Sequence, residues 1–377
     1  MNVLHFGRFY DANYGGLERV VGLLLKGLSN STRVVNLVAN DRARADTLEV
    51  DGYRVVRAPS LGLVAGTPLC PTMPLWARRL DRQCRFDIAH LHFPDPMSHL
   101  AAATLPPHVR LVISWHSDIV RQRWLFKLYR PYLDRILARA HAVIAATPKH
   151  FSSSTQLGAC TEPERLHVVP YGIDFAPYDD PNAVVGGASL KRRWGSRFAI
   201  FAVGRHVYYK GLDHLIRAMV GIASDAVLVV GGTGPLSRSL QKLAVDLGLG
   251  GRVIFPGRIP EAELPAYYHA ADVFCLPSVE RSEAFGLVQV EAMACRKPVV
   301  SCELGNGVSY VNRHGVTGFV VPPRDERALG IAINRLLEDH ALRAKMGEAG
   351  YVRATTEFAQ QRMVRETLAV YRTVMST

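Results

Sequence analysis

Short apolar strands that alternate with helical stretches, and that repeatedly run into glycine, constrain this chain more than any other feature. Val3-Leu4-His5-Phe6 is followed by Gly15-Gly16 and by a helix with Val20, Val21, Leu24, Leu25 and Leu28 on its inner face. Strands over Val34–Val38, Tyr53–Val56, Ile88–His92, Leu111–Trp115, Val143–Thr147 and Leu166–Pro170 continue the pattern. Between them, Pro59 to Pro74 reads as a loop, followed by a basic helix through Trp76 to Leu80. A second run starts afresh at Phe198–Val203 and continues through Val227–Val230, Val253–Phe255, Val273–Leu276, Pro298–Ser301 and Gly318–Pro322. Helices through Ala328–Leu337 and Ala359–Met375 end the chain. Residues 175–196, with Pro177, Asp179-Asp180-Pro181 and Gly186-Gly187, have linker composition. The expectation is an α/β chain of two Rossmann-like domains, and the length of 377 residues suits two.

Parallel strands place the residues that follow them at the carboxyl edge of the sheet, where α/β folds bind ligands. In the first half His116 is the best candidate there for contact with a substrate hydroxyl, and His90 and His92 read as structural. In the second half Arg205 and Lys210 flank the turn Gly204 to Leu212. Arginine offers a fork for phosphate oxygens and lysine a point charge. The stretch from Pro277 to Ala294 leaves a strand through a polar loop and enters a helix with Val290, Met293 and Ala294 on one face. The first turn of that helix, Gly286-Leu287-Val288, offers unpaired N–H groups and the positive end of a dipole to an anion. Glu283 and Glu291, with seven residues between them, frame it. A carboxylate beside a phosphate is electrostatically awkward unless it holds something neutral and hydroxyl-rich, such as a sugar. Taken alone, a strand, loop and helix with two glutamates is as readily a solvated helix start.

Composition narrows the class. Apolar content of 48% and charged content of 21% describe an ordinary globular chain. No apolar run is long enough to span a membrane, and the N-terminus lacks a secretory leader pattern. The six cysteines (Cys70, Cys84, Cys160, Cys275, Cys295 and Cys302) form no CxxC pair, which fits a reducing cytosol and suggests neither a zinc site nor a disulfide framework. The net charge of +12 suits nucleic acid, an anionic membrane or phosphate-bearing substrates. Nucleic-acid motifs are absent. From Arg121 to Arg139 basic and aromatic residues interleave at helical spacing, as on a helix lying against anionic headgroups or on a solvated helix with a core face. No Asp-x-Asp pair offers itself to a divalent ion.

Gly15-Gly16, the Pro170-to-Asp174 turn, Gly204-Arg205 with Lys210-Gly211, Gly231 to Pro235, Gly257-Arg258 and Glu283-x7-Glu291 occur in this order along nearly the whole chain. In that order they resemble the retaining glycosyltransferases of family 4, with the GT-B fold. Ser114 to Gln122 and Gly305 to Asn312 are similar to bacterial mannosyltransferases that build surface polysaccharides. The resemblance implies two Rossmann-like domains with parallel sheets facing across a deep cleft. Residues 1–175 would bind the acceptor, residues 176–357 the nucleotide-sugar donor, and a helix at about 358–377 would pack back on the first domain.

The same resemblance implies roles. Gly15, Gly16 and His116 would meet the acceptor, with Gly16 also near the donor phosphate. Arg205 and Lys210 would hold the diphosphate, Glu283 with the backbone of Phe285, Gly286, Leu287 and Val288 the sugar, and Glu291 the ribose. The base would lie near Arg258 and Ile259. Arg205, Lys210, Glu283 and His116 are the expected catalytic set. No cofactor or metal is expected. The implied partners are a nucleotide sugar, GDP-mannose first and a UDP-hexose as the alternative, a lipid-linked saccharide acceptor and a peripheral contact with anionic membrane on the cytoplasmic face. A nucleotide-sugar epimerase, a phosphorylase and a non-enzymatic binding protein are the competing readings. One departure stands out: Arg296 occupies a place before Lys297-Pro298 where the family usually has glycine, which questions the left-handed turn there.

Overall fold

The computed structural model of the chain describes residues 1–10, 15–64, 67–119, 123–158, 162–195, 198–223 and 225–376. Tyr14, Val120 to Gln122 and Cys160 lie outside the described residues. The chain forms two units, one of residues 1–172 with 360–377, the other of residues 173–359.

The first unit is built on strands β1 (Asn2–Gly7), β2 (Arg33–Ala39), β3 (Asp46–Val50), β4 (Tyr53–Ala58), β7 (Ile88–Phe93), β8 (Arg110–Trp115), β9 (Ala142–Ala145) and β10 (Leu166–Val168). They lie in the order β10-β9-β8-β7-β1-β2-β4-β3. A small ribbon, β5 (Leu63–Val64) with β6 (Thr67–Pro68), occupies the expected loop. Helices α1 (Gly16–Ser29), α2 (Met73–Cys84), α3 (Pro96–Ala102), α4 (Arg123–Arg139) and α5 (Pro148–Ser153) accompany them. Helix α1 buries Val20, Val21, Leu24, Leu25 and Leu28, the face its 3.6-residue period indicates. The sheet is parallel except at its edge, where β3 pairs antiparallel with β4. The alternating burial of Asp46-Thr-Leu-Glu-Val is that of an edge strand, which the sequence reading had not assigned.

The second unit begins with a correction. The stretch expected as a linker is helical: α6 (Ala176–Asp179) and α7 (Pro181–Trp194) occupy most of it, up to Gly195 among the described residues. Asp180 caps α7 by accepting from the Asn182 N–H, Pro181 takes the first turn, and Gly195 ends the helix in a left-handed turn. The glycine pair that suggested a linker instead lets two helices touch. A Cβ at Gly187 would stand 2.7 Å from His269 Cβ, on the helix over Leu264–Ala270.

The second sheet, β13-β12-β11-β14-β15-β16, is wholly parallel. Its strands are β11 (Phe198–Val203), β12 (Ala226–Gly231), β13 (Val253–Gly257), β14 (Val273–Leu276), β15 (Val299–Cys302) and β16 (Gly318–Val321), with α8 (Leu212–Ala218), α9 (Ser237–Asp246), α10 (Leu264–Ala270), α11 (Leu287–Ala294), α12 (Val308–Val311) and α13 (Glu326–Glu338) between or after them. Two further helices follow, α14 (His340–Glu357) and α15 (Gln360–Ser376). The sequence reading passed over α14, whose buried positions Met346, Gly347, Gly350, Arg353 and Ala354 show little apolar periodicity. Helix α15 belongs to the first unit.

Candidate active site

In a doubly wound sheet, the strand from which the chain runs out in both directions opens a crevice at its carboxyl end. In the second unit that strand is β11, flanked by β12 and β14. The turn after β11 carries Arg205 and Lys210; the loop after β14 carries Glu283. Gly211 adopts a left-handed conformation, and a Cβ there would collide with the Pro277 carbonyl, so only glycine lets the two loops close up.

Lys210 Nζ donates to Glu283 Oε2 at 2.5 Å, and the Ser278 hydroxyl donates to the same oxygen at 3.0 Å. Asn306 Nδ2 donates to the Glu283 carbonyl at 2.6 Å, fixing the loop from the β15–α12 connection. Burial works against the Lys210 ammonium, but the Glu283 carboxylate and Tyr209 beside it prevail and raise its pKa above the ordinary value. Glu283 Oε1 takes no hydrogen bond among the described residues. Arg205 is exposed, and its guanidinium makes no ion pair among them. One carboxylate oxygen and one guanidinium are thus open beside a fixed cation.

Gly286, left-handed at φ 72°, leads into α11, so that the first N–H groups of the helix lack intrahelical acceptors. Leu287 and Val288 are half-buried, and Phe285 is buried against Phe358. Glu291 is 1% exposed and accepts from the Tyr268 hydroxyl, on α10, at 2.6 Å. Arg258 and Ile259 follow β13, two strands from β11. Arg258 is exposed, and Ile259 packs over Gly231.

The turn at Arg296 survives the loss of glycine. Arg296 is left-handed at φ 55°, Lys297 N–H donates to Ala292 O and Arg296 N–H to Met293 O, the paired bonds of a Schellman cap. Its side chain is held by Glu348 at 2.8 Å and lies 3.6 Å over the Tyr351 ring.

In the first unit Gly15 is extended, and a Cβ on Gly16 would meet nothing within 4 Å. Among the described residues no neighbour requires glycine at Gly16. His116 follows β8 and is buried. Its Nε2 lies 2.9 Å from His92 Nδ1, and its Nδ1 is hydrogen-bonded to the Tyr171 hydroxyl. Both ring nitrogens are therefore engaged within the protein, and a sugar hydroxyl reaches one only by displacing Tyr171. Burial, with His92 and His150 nearby, depresses the His116 pKa well below the ordinary value and keeps the ring neutral.

His5, His90 and His92 bring ring nitrogens within 4.8 Å of one another, close enough to share a metal ion. Those nitrogens are already paired with each other, with Tyr371 and with Ser114. Ser278, Asn306, Tyr268 and Tyr171 escaped the sequence reading. Asn306, Tyr268 and Tyr171 act through hydrogen bonds between distant segments, which no local spacing reveals, and Ser278 turns back on its own loop.

Two family models match the chain: "Glycosyltransferase Family 4" over residues 14–176 and "Glycosyl transferases group 1" over residues 191–353. The chain is 30% identical over 381 residues to the O-antigen chain mannosyltransferase C of Escherichia coli, covering 100% of both. It is 35% identical to D-rhamnosyltransferase WbpZ of Pseudomonas aeruginosa, covering 92% of this chain and 89% of that one. A third relative, 34% identical over 79% of this chain and 78% of its own, is the GDP-mannose-dependent alpha-(1-6)-phosphatidylinositol monomannoside mannosyltransferase of Mycolicibacterium smegmatis. Among solved structures, sucrose-phosphate synthase of Thermosynechococcus elongatus shares the GT-B fold, with TM-score 0.82 at 22% identity over 100% of this chain and 99% of that one. The chain belongs to the group 1, family 4 glycosyltransferases.

Proposed function

We propose that this glycosyltransferase moves a mannosyl unit from GDP-mannose to a lipid-linked saccharide during surface polysaccharide synthesis, with retention of configuration and without a metal ion. The observation that carries the reading is the Lys210–Glu283 pair at the carboxyl ends of β11 and β14. The donor diphosphate takes Arg205, Lys210 and the N-terminus of α11, which together meet its charge. Glu283 is held through Oε2 and accepts a sugar hydroxyl through Oε1. The acceptor hydroxyl oxygen forms the new bond to the anomeric carbon, the bond to the diphosphate oxygen breaks, and the departing diphosphate takes the acceptor proton. Catalysis is then mainly electrostatic, with no side chain needed as a strong base.

Mannose and guanosine rest on the relatives whose names carry them. The lipid-linked acceptor is supported by α4, where Trp124, Lys127, Leu128, Pro131 and Arg135 share one exposed face. Aromatic, aliphatic and basic side chains in one stripe suit an anionic membrane surface. Among the described residues no helix is long and apolar enough to cross a membrane.

Incubation with a polyprenyl-diphosphate-linked saccharide and either GDP-mannose or UDP-glucose tests the reading. It requires GDP release that depends on acceptor, and an α-linked product by anomeric proton NMR. Turnover of UDP-glucose alone contradicts the donor, and donor turnover without acceptor returns the epimerase reading.

A further inference from the structure

Four histidines and two phenols form one continuous buried chain in the first unit. His5 on β1 and His90 on β7 are register partners, and His92 lies on the same face two residues along. The Tyr371 hydroxyl, on α15, lies 2.9 Å from His5 Nε2 and 2.6 Å from His90 Nδ1. His90 Nε2 is 2.8 Å from Ser114 Oγ, and His5 Nδ1 is 3.3 Å from His92 Nε2. His92 Nδ1 meets His116 Nε2 at 2.9 Å, and His116 Nδ1 ends on Tyr171. Followed from the candidate acceptor side, the path is Tyr171, His116, His92, His5, Tyr371, His90 and Ser114.

Every ring along this path is entered at Nδ1 and left at Nε2. A neutral imidazole has one donor and one acceptor nitrogen. Burial holds all four rings neutral, pushing His92 down to about 3 and the others well below their ordinary value. Only two proton orders then satisfy every joint and also give the Tyr371 hydroxyl proton an acceptor. In one, all four rings carry the proton on Nε2, Tyr171 donates to His116 and Tyr371 donates to His90. In the other, all four carry it on Nδ1, Ser114 donates to His90 and Tyr371 donates to His5. Any other set brings two donors or two lone pairs together, or makes Tyr371 accept from both His5 and His90 with its own proton unpaired.

We propose that this chain sets the tautomer and ring orientation of His116, with Tyr371 on the tail helix as its positioning residue. The functional part rests on the glycosyl-transfer reading above together with the expectation, carried by the family resemblance, that His116 meets the acceptor. Tyr371 is the one link contributed by a segment distant from the strands, and its hydroxyl joins His90 to the other three rings. Its removal leaves His116 governed by Tyr171 alone. A metal at His5, His90 and His92 would consume the same nitrogens and break the chain.

The test is a long-range proton–nitrogen NMR spectrum of protein labelled with 15N at histidine, recorded at pH 7.5 on wild type, Tyr371→Phe and Val374→Ala. Wild type is expected to show one tautomer shared by His5, His90, His92 and His116. Tyr371→Phe preserves ring volume; it should change the His116 ring shifts and lower kcat about tenfold or more, with the donor KM unchanged. Val374→Ala trims the buried face of α15 outside the chain. It should lower Tm while leaving the His116 shifts and kcat as in wild type. Mixed tautomers in wild type, zinc bound stoichiometrically through these rings, or His116 shifts indifferent to Tyr371→Phe would overturn the proposal. The spectrum needs no turnover. A uniform tautomer in a protein inactive with GDP-mannose therefore counts against the donor reading alone.

Discussion

Lys210 Nζ and Glu283 Oε2 lie 2.5 Å apart across 73 residues of sequence, one at the end of β11 and the other beyond β14. Their side chains are 13% and 12% exposed, so the pair is neither a surface ion pair nor a sealed one. Water screens such a pair only partly, and the fixed Lys210 ammonium is ready for a second anion. That relationship joins the fold to the chemistry, since it exists only where the sheet order turns from β12 to β14.

The pair should be energetically coupled. A double-mutant cycle with Lys210→Ala, Glu283→Gln and the combined variant, read by urea unfolding, is expected to give a coupling of roughly 1–3 kcal/mol. Additivity within about 0.5 kcal/mol would mean that the two charges are held apart by solvent.

Stability should depend on acid through the first unit. His5, His90, His92, His99, His116 and His150 are all buried, and burial lowers the pKa of each. A base whose folded pKa is depressed stays neutral while the unfolded chain takes up its proton near pH ~6.5. The stabilisation is therefore complete above that pH and is lost as pH falls below it, by up to ~1.4 kcal/mol per pH unit for each ring that stays neutral. Urea midpoints should be level from pH 8.5 to 7.5 and fall steeply from 6.5 to 5. A midpoint unchanged from pH 7 to 5 would contradict this account.

Arg296 offers a separate balance. A non-glycine residue in the left-handed region costs about 1 kcal/mol, and its stacking on Tyr351 returns about 0.5–1 kcal/mol. Arg296→Gly should thus leave Tm nearly unchanged, whereas Arg296→Ala keeps the strain, loses the stacking and should lower it. Equal effects of the two variants would show that the left-handed conformation costs nothing at this position.

The exposed stripe of α4 can be checked without substrate. Co-sedimentation with vesicles containing phosphatidylglycerol should exceed that with neutral vesicles, and Trp124→Glu with Leu128→Glu should abolish the difference. Equal binding to both vesicle types, or none to either, would remove the membrane from the reading.

Much of the fold was legible because buried parallel strands are apolar throughout and stop at glycine or proline, so β11, β14 and β16 could be bounded from residue type alone. The linker reading of 175–196 failed because Asp180-Pro181 is both a turn signal and a helix start, and because Gly187 serves helix contact instead of chain freedom. Helix α14 hides its face behind Gly347, Gly350 and Arg353, with Arg353 Nε and Nη2 donating to the carbonyls of Val311 and Tyr310. Lys210, Glu283 and Gly286 were readable from their places after strands. The partner that fixes the Glu283 loop was not, since Asn306 becomes its neighbour only when distant segments meet. The histidine chain shows the same limit. His90 and His92 alternate on one strand, but Tyr371 reaches them from a helix 281 residues away from His90.

The most direct test of the central claim is calorimetric titration of GDP and UDP into wild type and Lys210→Ala. GDP should bind wild type far more tightly than UDP does, and Lys210→Ala should lose most of that affinity while melting cooperatively. Tight UDP binding with none for GDP would contradict the donor, and unchanged GDP affinity in Lys210→Ala would contradict the diphosphate site itself.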